Sequence, residues 1–430
     1  MNSPVPMRFH HFNAAIELLR SIAWGTRPAD RVLDGYFREH PKMGKKDRGA
    51  VAELVYGVLR QRRLLEEVVR DVDGDDLTQR IAAAYLCQFN GLSGRILEER
   101  GFAREGSAIS TRLRTLDRAR LPFALRYSLP DWLSDRMLQQ YGEDDAAALA
   151  SALNVPATLD IRVNSVKGTR EQLMAQLAQA GVVMSATPWS PWGLRRTDRA
   201  ALFKQDSFRD GWFEVQDEAS QLVSMLMEVR RRETVVDFCA GAGGKTLHLA
   251  ALMENTGSVY AVDVAARRLE KLKPRLRRAG LDNVRMMSIE SEADPVLSPL
   301  KGQVHRVLVD APCSGTGTLR RNPDIKWRTI DFTALLAQQQ SILNAAAELV
   351  RPGGRLVYAT CSILDEENEA VVARFLARSP HFVRLDASDV LARQGIALEH
   401  AVTAQGSLQL RPDRHATDGF FAAVLQRHAS

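Results

Sequence analysis

The chain has 430 residues, 45% of them apolar and 26% charged, with a formal net charge of +6. This length exceeds what one hydrophobic core supports, so two or three domains are expected, and the balance excludes both a disordered chain and a membrane-embedded one. No run reaches the roughly 18 apolar residues that span a bilayer, the start MNSPVPMRFHHFN has no apolar stretch behind it, and the four cysteines form no CxxC pair. A reduced, cytoplasmic protein is expected, with no signal peptide, no membrane anchor, no metal site and no evident protein partner. Arginine supplies 48 of the 58 basic residues. That preference suits phosphate and base contacts, but GC-rich codon usage produces it equally well, so it permits a nucleic-acid partner without requiring one.

From Phe12 to Leu125 apolar residues recur at threes and fours, as in Ile16-Leu18-Leu19 and Val51-Leu54-Val55-Val58-Leu59, which predicts a helical domain over residues 1–126. In residues 127–215 the run Leu159-Asp160-Ile161-Arg162-Val163 alternates like a strand, and Thr169 to Ala180 returns to helical period. A small α/β module follows. Residues 216–430 repeat a pattern of strand, glycine turn and helix. The expected strands are Thr234 to Cys239, Ser258 to Val264, Val284 to Ile289, Arg306 to Asp310, Arg355 to Thr360 and Gly419 to Leu425; Thr246 to Met253 and Leu335 to Val350 are expected helices. Such alternation predicts an α/β fold with a doubly wound, mainly parallel sheet.

Three motifs carry chemistry. The first, Asp237-Phe238-Cys239-Ala240-Gly241-Ala242-Gly243-Gly244-Lys245-Thr246, lies where the first of these strands turns into its helix. Glycines there let backbone approach a ligand, and the helix start offers unpaired N–H groups. A phosphate-binding loop would need glycine at Cys239, and a dinucleotide fingerprint would need glycine at Thr246. Adenosylmethionine is the third candidate. Asp263, closing the next strand, is placed to accept from ribose hydroxyls, which supports a nucleoside without choosing among cofactors.

The second motif is Asp310-Ala311-Pro312-Cys313-Ser314-Gly315-Thr316-Gly317, followed by Arg320-Arg321-Asn322-Pro323-Asp324-Ile325-Lys326-Trp327-Arg328. One strand later comes the third, Tyr358-Ala359-Thr360-Cys361-Ser362. In an open α/β sheet the two cysteines converge on the ligand cleft. A lone cysteine is ordinarily a small buried hydrophobe, and Cys87 and Cys239 are read that way. Two thiols at adjacent strand ends, one beside an aspartate, are read as functional.

Here the sequence resembles the RsmB (Fmu/Sun) type of bacterial ribosomal RNA cytosine-5 methyltransferases, which carry a functional cysteine in each of a DAPCS and a TCS motif. The likeness also rests on Arg321 to Trp327, Glu366-Glu367-Asn368, Asp418-Gly419-Phe420-Phe421, Trp212 to Ser220 and Arg162-Val163-Asn164. Residues 12–70, with Tyr56-Gly57-Val58-Leu59-Arg60, resemble a NusB-like RNA-binding domain. The glycine turn departs from the usual AAPGGKT by losing its proline, and Glu290 stands where an aspartate is usual.

The resemblance implies a Rossmann-like, seven-stranded methyltransferase sheet and S-adenosylmethionine as cofactor, held by Cys239, Ala240, Gly241, Ala242, Gly243, Gly244, Lys245, Asp263, Glu290 and Asp310. It implies methylation of the 5-carbon of a cytosine in RNA, above all small-subunit ribosomal RNA. Cys361 would be the nucleophile, Cys313 would aid product release and Asp310 would contact the cytosine ring. A helix expected from near Asp365 would put N–H groups beside Cys361. Trp327, with Arg320, Arg321, Lys326 and Arg328, pairs a stacking ring with cations and is the expected RNA contact; the basic run Arg267 to Arg278 reads equally well as a solvated helix face. The alternatives are the same chemistry on transfer RNA, another RNA or DNA, and a non-catalytic RNA-binding assembly factor.

Overall fold

Among the described residues, amphipathic periodicity in the first third of the chain becomes eight α-helices: α1 (Phe9–Trp24), α2 (Ala29–Glu39), α3 (Lys45–Val69), α4 (Leu77–Asn90), α5 (Gly94–Glu99), α6 (Gly106–Thr115), α7 (Phe123–Arg126) and α8 (Asp131–Leu153). The structure is a computed structural model that describes residues 7–24, 27–197 and 201–429. Local signals set the helix ends. The Asp76 side chain accepts from the Gln79 N–H at the start of α4, and Gly91 closes that helix in the left-handed conformation at φ 71°. Helices α3 and α4 approach so closely that a Cβ on Gly57 would lie 2.1 Å from the Tyr85 ring. Phe12, Leu54, Leu65 and Phe102 are buried in the shared core.

This helical unit extends to Val155 and also takes in Leu319–Thr329. Helix α8 stays with the helices because the Arg63 guanidinium bonds the Leu129 carbonyl at 2.7 Å and Asp131 at 2.7 Å, while the Asn154 amide bonds the Tyr127 carbonyl at 2.6 Å.

The second unit comprises Pro156–Thr318 and Ile330–Ser430. It opens with β1 (Leu159–Val163), α9 (Arg170–Gln179), β2 (Ser185–Ala186), β3 (Gly193–Arg196), α10 (Asp206–Arg209) and β4 (Phe213–Val215). These strands form an antiparallel sheet in the order β2-β3-β1-β4, over a core that includes Ile161, Leu177 and Phe213.

The rest of this unit is α11 (Glu218–Leu226), β5 (Thr234–Asp237), α12 (Gly244–Leu252), β6 (Ser258–Asp263), α13 (Ala266–Leu269), α14 (Leu272–Ala279), β7 (Val284–Ser288), β8 (Val304–Asp310), α15 (Phe332–Leu349), β9 (Val350–Thr360), α16 (Glu369–Arg378), β10 (Phe382–Leu385), α17 (Ala387–Ala392), β11 (Leu408–Leu410), α18 (Pro412–His415) and β12 (Phe420–Arg427). Their strands run β10-β12-β9-β8-β5-β6-β7, with β11 paired to β12. Strands β5 to β9 are parallel and β12 lies antiparallel to β9. Alternate residues supply opposite faces: Val235, Leu308 and Val357 pack into one core, Val236, Val307 and Leu356 into the other. The order reverses at β5, whose neighbours are β6 and β8, and in an open α/β sheet the ligand crevice lies at such a switch point, beyond the strands' carboxyl ends. Among the described residues no helix is long and apolar enough to cross a membrane.

Candidate active site

The glycine turn leaves β5 at that switch point. Gly241 and Gly243 take φ of 56° and 81°, and a Cβ on Gly243 would sit 2.3 Å from Leu272, so the turn tolerates no larger residue there. Asp263, at the end of β6, is aimed by two backbone donors, Gly241 N–H and Ala265 N–H, each at 2.7 Å. One carboxylate oxygen takes each bond, so lone pairs remain on both for a ligand diol. Glu290 follows β7 as an exposed residue whose own N–H bonds Asp294 at 2.9 Å. From below, the buried Arg162 ties the start of α12 to the small sheet, bonding the Gly244 carbonyl at 2.9 Å as well as Gln216.

Charge distinguishes the ligands that the glycine pattern leaves open. Three carboxylates, Asp237, Asp263 and Asp310, crowd this turn, faced by Lys245 and Arg268. Lys245 bonds Asp310 at 2.6 Å and lies 5.0 Å from the centre of the Phe420 ring. Asp237 is buried; one oxygen accepts from the Thr246 hydroxyl at 2.7 Å, while the other is buried with no partner. Burial pushes its carboxyl up to about 7, and the neighbouring Asp310 adds to the rise. A pyrophosphate would meet this surplus of negative charge unfavourably. A nucleoside carrying positive charge fits it.

The two sequence-predicted thiols meet beyond β8 and β9: the Cys313 and Cys361 sulfurs are 3.4 Å apart. Their hydrogen bond and burial hold the Cys313 pKa well above the ordinary thiol value, and either sulfur can donate in the contact between them. Asp310 ends β8, three residues before Cys313, and therefore faces the same crevice. The α-helix after Cys361 begins at Glu369, beyond a 3₁₀ turn at Asp365–Glu367, later than expected. Cys239 is half-buried, and its removal from water raises its thiol well above the usual range.

Sequence reasoning missed the residue beneath the thiols. Glu367 is fully buried; it accepts from the Ser314 N–H at 2.7 Å, the Ser314 and Ser362 hydroxyls at 2.5 Å each, and the Gln339 amide at 3.0 Å. Asn368 beside it joins the Thr360 hydroxyl at 2.5 Å to the Ser362 carbonyl at 3.0 Å. Each serine follows a cysteine, so one carboxylate holds both thiol loops. The Glu366-Glu367-Asn368 triplet was the available signal, but nothing local said which way its side chains point.

The expected RNA contacts need correction. Lys326 is buried in the helical unit, where its ammonium bonds the carbonyls of Arg60 and Ser128 at 3.0 Å each and the Asn154 side chain at 2.6 Å. Trp327 donates to the Leu59 carbonyl at 2.8 Å and packs beneath Arg62, and Arg320 is buried with its carbonyl bonded by Arg60 at 3.0 Å. All three knit this segment into the helices; Lys326 and Arg320 are buried there, and Trp327 is half-buried. Arg321 is half-buried, and Arg328 is exposed but paired with Asp324. In the same unit His11 and Asp47 pair at 2.9 Å with His10 beside them, a cluster that spacing did not reveal. Hydrogen bonds from the Arg8 and Gly44 N–H groups occupy the remaining His11 nitrogen and the second Asp47 oxygen.

Comparison with known proteins extends this picture over nearly the whole chain. Residues 224–426 match a family described as 16S rRNA methyltransferase RsmB/F, and residues 129–200 match the ferredoxin-like domain of RsmF/B-like methyltransferases. A Synechocystis protein named "Probable ribosomal RNA small subunit methyltransferase B" is 33% identical over 96% of this chain and 98% of its own. Ribosomal RNA small subunit methyltransferase B of Vibrio cholerae is 32% identical over 89% of this chain and 90% of its own. Among solved structures, that of PH0851 is 26% identical and superposes with a TM-score of 0.80, covering 99% of this chain and all of that one.

Proposed function

The chain belongs to the RsmB/F family of 16S rRNA methyltransferases, and from that premise we propose that it methylates the 5-carbon of a cytosine in small-subunit ribosomal RNA, using S-adenosylmethionine. The observation that carries this reading is the pair of sulfurs 3.4 Å apart at neighbouring strand ends. The turn from Cys239 to Lys245, with Asp263, Glu290 and Asp310, would hold the cofactor; its surplus negative charge suits a sulfonium and its Asp263 a ribose. Bound there, S-adenosylmethionine supplies an electrophilic methyl group.

The 5-carbon of cytosine is a weak nucleophile. Addition of the Cys361 sulfur to the 6-carbon pushes electron density onto it and divides one hard step into two easier ones. Cys313 donates its proton toward that sulfur, which stabilises the sulfur as an anion before attack. Asp310 is placed to bond the ring and support the charge that develops. After methylation the 5-proton passes to water, its bonding pair re-forms the 5,6 double bond, and the carbon–sulfur pair returns to Cys361 as a thiolate beside Cys313, whose S–H can bond it and so assist release. A paired base cannot offer its ring face to a thiol, so the target is unpaired or flipped out. Ribosomal RNA as substrate places the reaction in the cytoplasm.

The two thiols have opposite expected phenotypes. Cys361→Ala should neither methylate RNA nor form an adduct. Cys313→Ala should still add and methylate but release slowly, accumulating a protein–RNA adduct seen as a retarded band on denaturing electrophoresis. A band that needs Cys313 and survives loss of Cys361 would reverse the assigned roles.

A further inference from the structure

A second cavity opens at the same end of the large sheet as the thiols. It measures about 710 Å³ and is lined by Trp189, Ala397, Glu399, His400, Arg414 and His415. Strand β12 starts beside the end of β9, with Phe421 opposite Thr360, and β11 ends opposite Phe420. The turn between β11 and β12, which holds Arg414 and His415, therefore projects beyond the carboxyl ends of the strands. Backbone connects it to the nucleophile: Gly419 N–H bonds the Gly317 carbonyl at 2.8 Å, and Gly317 N–H bonds the Cys361 carbonyl at 2.9 Å. A few extended residues and one strand spacing put this cavity on the order of 15 Å from the thiols.

Its lining is built for a nucleotide. The Trp189 backbone N–H bonds the fully buried Glu218 at 2.8 Å, while its ring packs partly against the core of the large sheet and meets the His415 ring edge-on at 5.6 Å between centres. His415 is itself fixed, its Nδ1 accepting from the Arg411 N–H at 2.9 Å. A half-exposed indole held this way gives a rigid stacking surface. Exposed Arg414 and His400 offer positive charge to a phosphate, and exposed Glu399 offers an acceptor to a base amino group or a 2′-hydroxyl.

Resting on the RNA reading above, we propose that this cavity binds an unpaired nucleotide of the substrate a few positions from the target cytosine. A base stacks on Trp189, Arg414 holds the adjoining phosphate, and the pocket sets which strand segment presents its cytosine to Cys361.

The test uses the full chain, a small-subunit RNA fragment and the same fragment with single abasic positions flanking the target. Trp189→Ala should raise the KM for RNA about fivefold or more, and Trp189→Phe should restore it. Both should leave kcat at saturating RNA and calorimetric cofactor affinity within about twofold. One abasic position should abolish the difference between Trp189→Ala and the unaltered protein. Arg414→Ala should raise KM without lowering the melting temperature, which covers the case in which Trp189→Ala folds poorly. Unchanged KM in both variants, or a loss equal on every abasic RNA, would overturn the pocket. Failure of the unaltered protein to methylate any RNA would instead overturn the functional reading beneath it.

Discussion

Ser362 and Glu367 are joined by a 2.5 Å hydrogen bond, and the same carboxylate oxygen takes the Ser314 hydroxyl at 2.5 Å. The sulfurs of Cys313 and Cys361 therefore owe their spacing to one buried acid that touches neither. Glu367→Ala would leave several buried donors without a partner, at about 1–3 kcal/mol each. It should lower the melting temperature and cut single-turnover methyl transfer by tenfold or more. Glu367→Gln keeps the volume and two acceptor lone pairs, so it should recover part of both. Stability loss with an unchanged single-turnover rate would show that the pin is structural only.

Asp237 should make cofactor binding pH-dependent. Its folded pKa, pushed up to about 7, lies above the unfolded value of about 3.9, so between those values the folded state holds the extra proton. Stability from this group is present below about pH 4 and is lost as pH rises to about 7. A bound cation favours the ionised form. Calorimetry should find S-adenosylmethionine binding tighter at pH 8 than at pH 6, and Asp237→Asn should flatten the difference while keeping the acceptor for Thr246.

Burial pushes the Lys326 ammonium well below its ordinary pKa. The unfolded chain then binds the extra proton over the interval up to about pH 10, so stability from this group rises with pH across it. Lys326→Met leaves three buried acceptors unpaired and should destabilise the protein by about 2–4 kcal/mol. The deficit relative to the unaltered protein should grow between pH 7 and 10 in chemical denaturation.

The thiol pair should also be the first target of mild oxidation. The sulfurs need to close from 3.4 Å to about 2.05 Å. Hydrogen peroxide would convert one thiol to a sulfenic acid with loss of water, and the second would displace another water to form the disulfide. Intact mass should fall by two hydrogens, methylation should stop, and dithiothreitol should restore both. Persistence of the mass change in Cys313→Ala would assign the oxidation elsewhere.

What could be read in advance followed local periodicity. Leu159 to Val163 is a strand with the expected limits, and Ser258 to Val264 and Val284 to Ile289 each end one residue sooner than expected. The meeting of Cys313 with Cys361 was legible because strand-end motifs in a doubly wound sheet share one crevice. Lys326 and Trp327 were misjudged because a cation and an indole on a proline-bearing segment have the composition of an exposed loop. Their partners lie in α3 and around α8, so only tertiary packing reveals these contacts and the burial of Lys326. The role of Glu367 was hidden for the same reason, since its donors come from three separate parts of the chain.

The passage of Leu319–Thr329 into the helical unit governs when that unit can be finished. Asp324 and Lys326 supply hydrogen-bond partners to chain made 172 to 295 residues earlier. At roughly 5–20 residues per second on the ribosome, the first helices wait on the order of ten seconds or longer for the segment that packs against them. An N-terminal fragment ending at α8 would never receive it. The helices are translated first but mature late, and a nascent chain arrested before Leu319 should remain open there to chaperones and proteases.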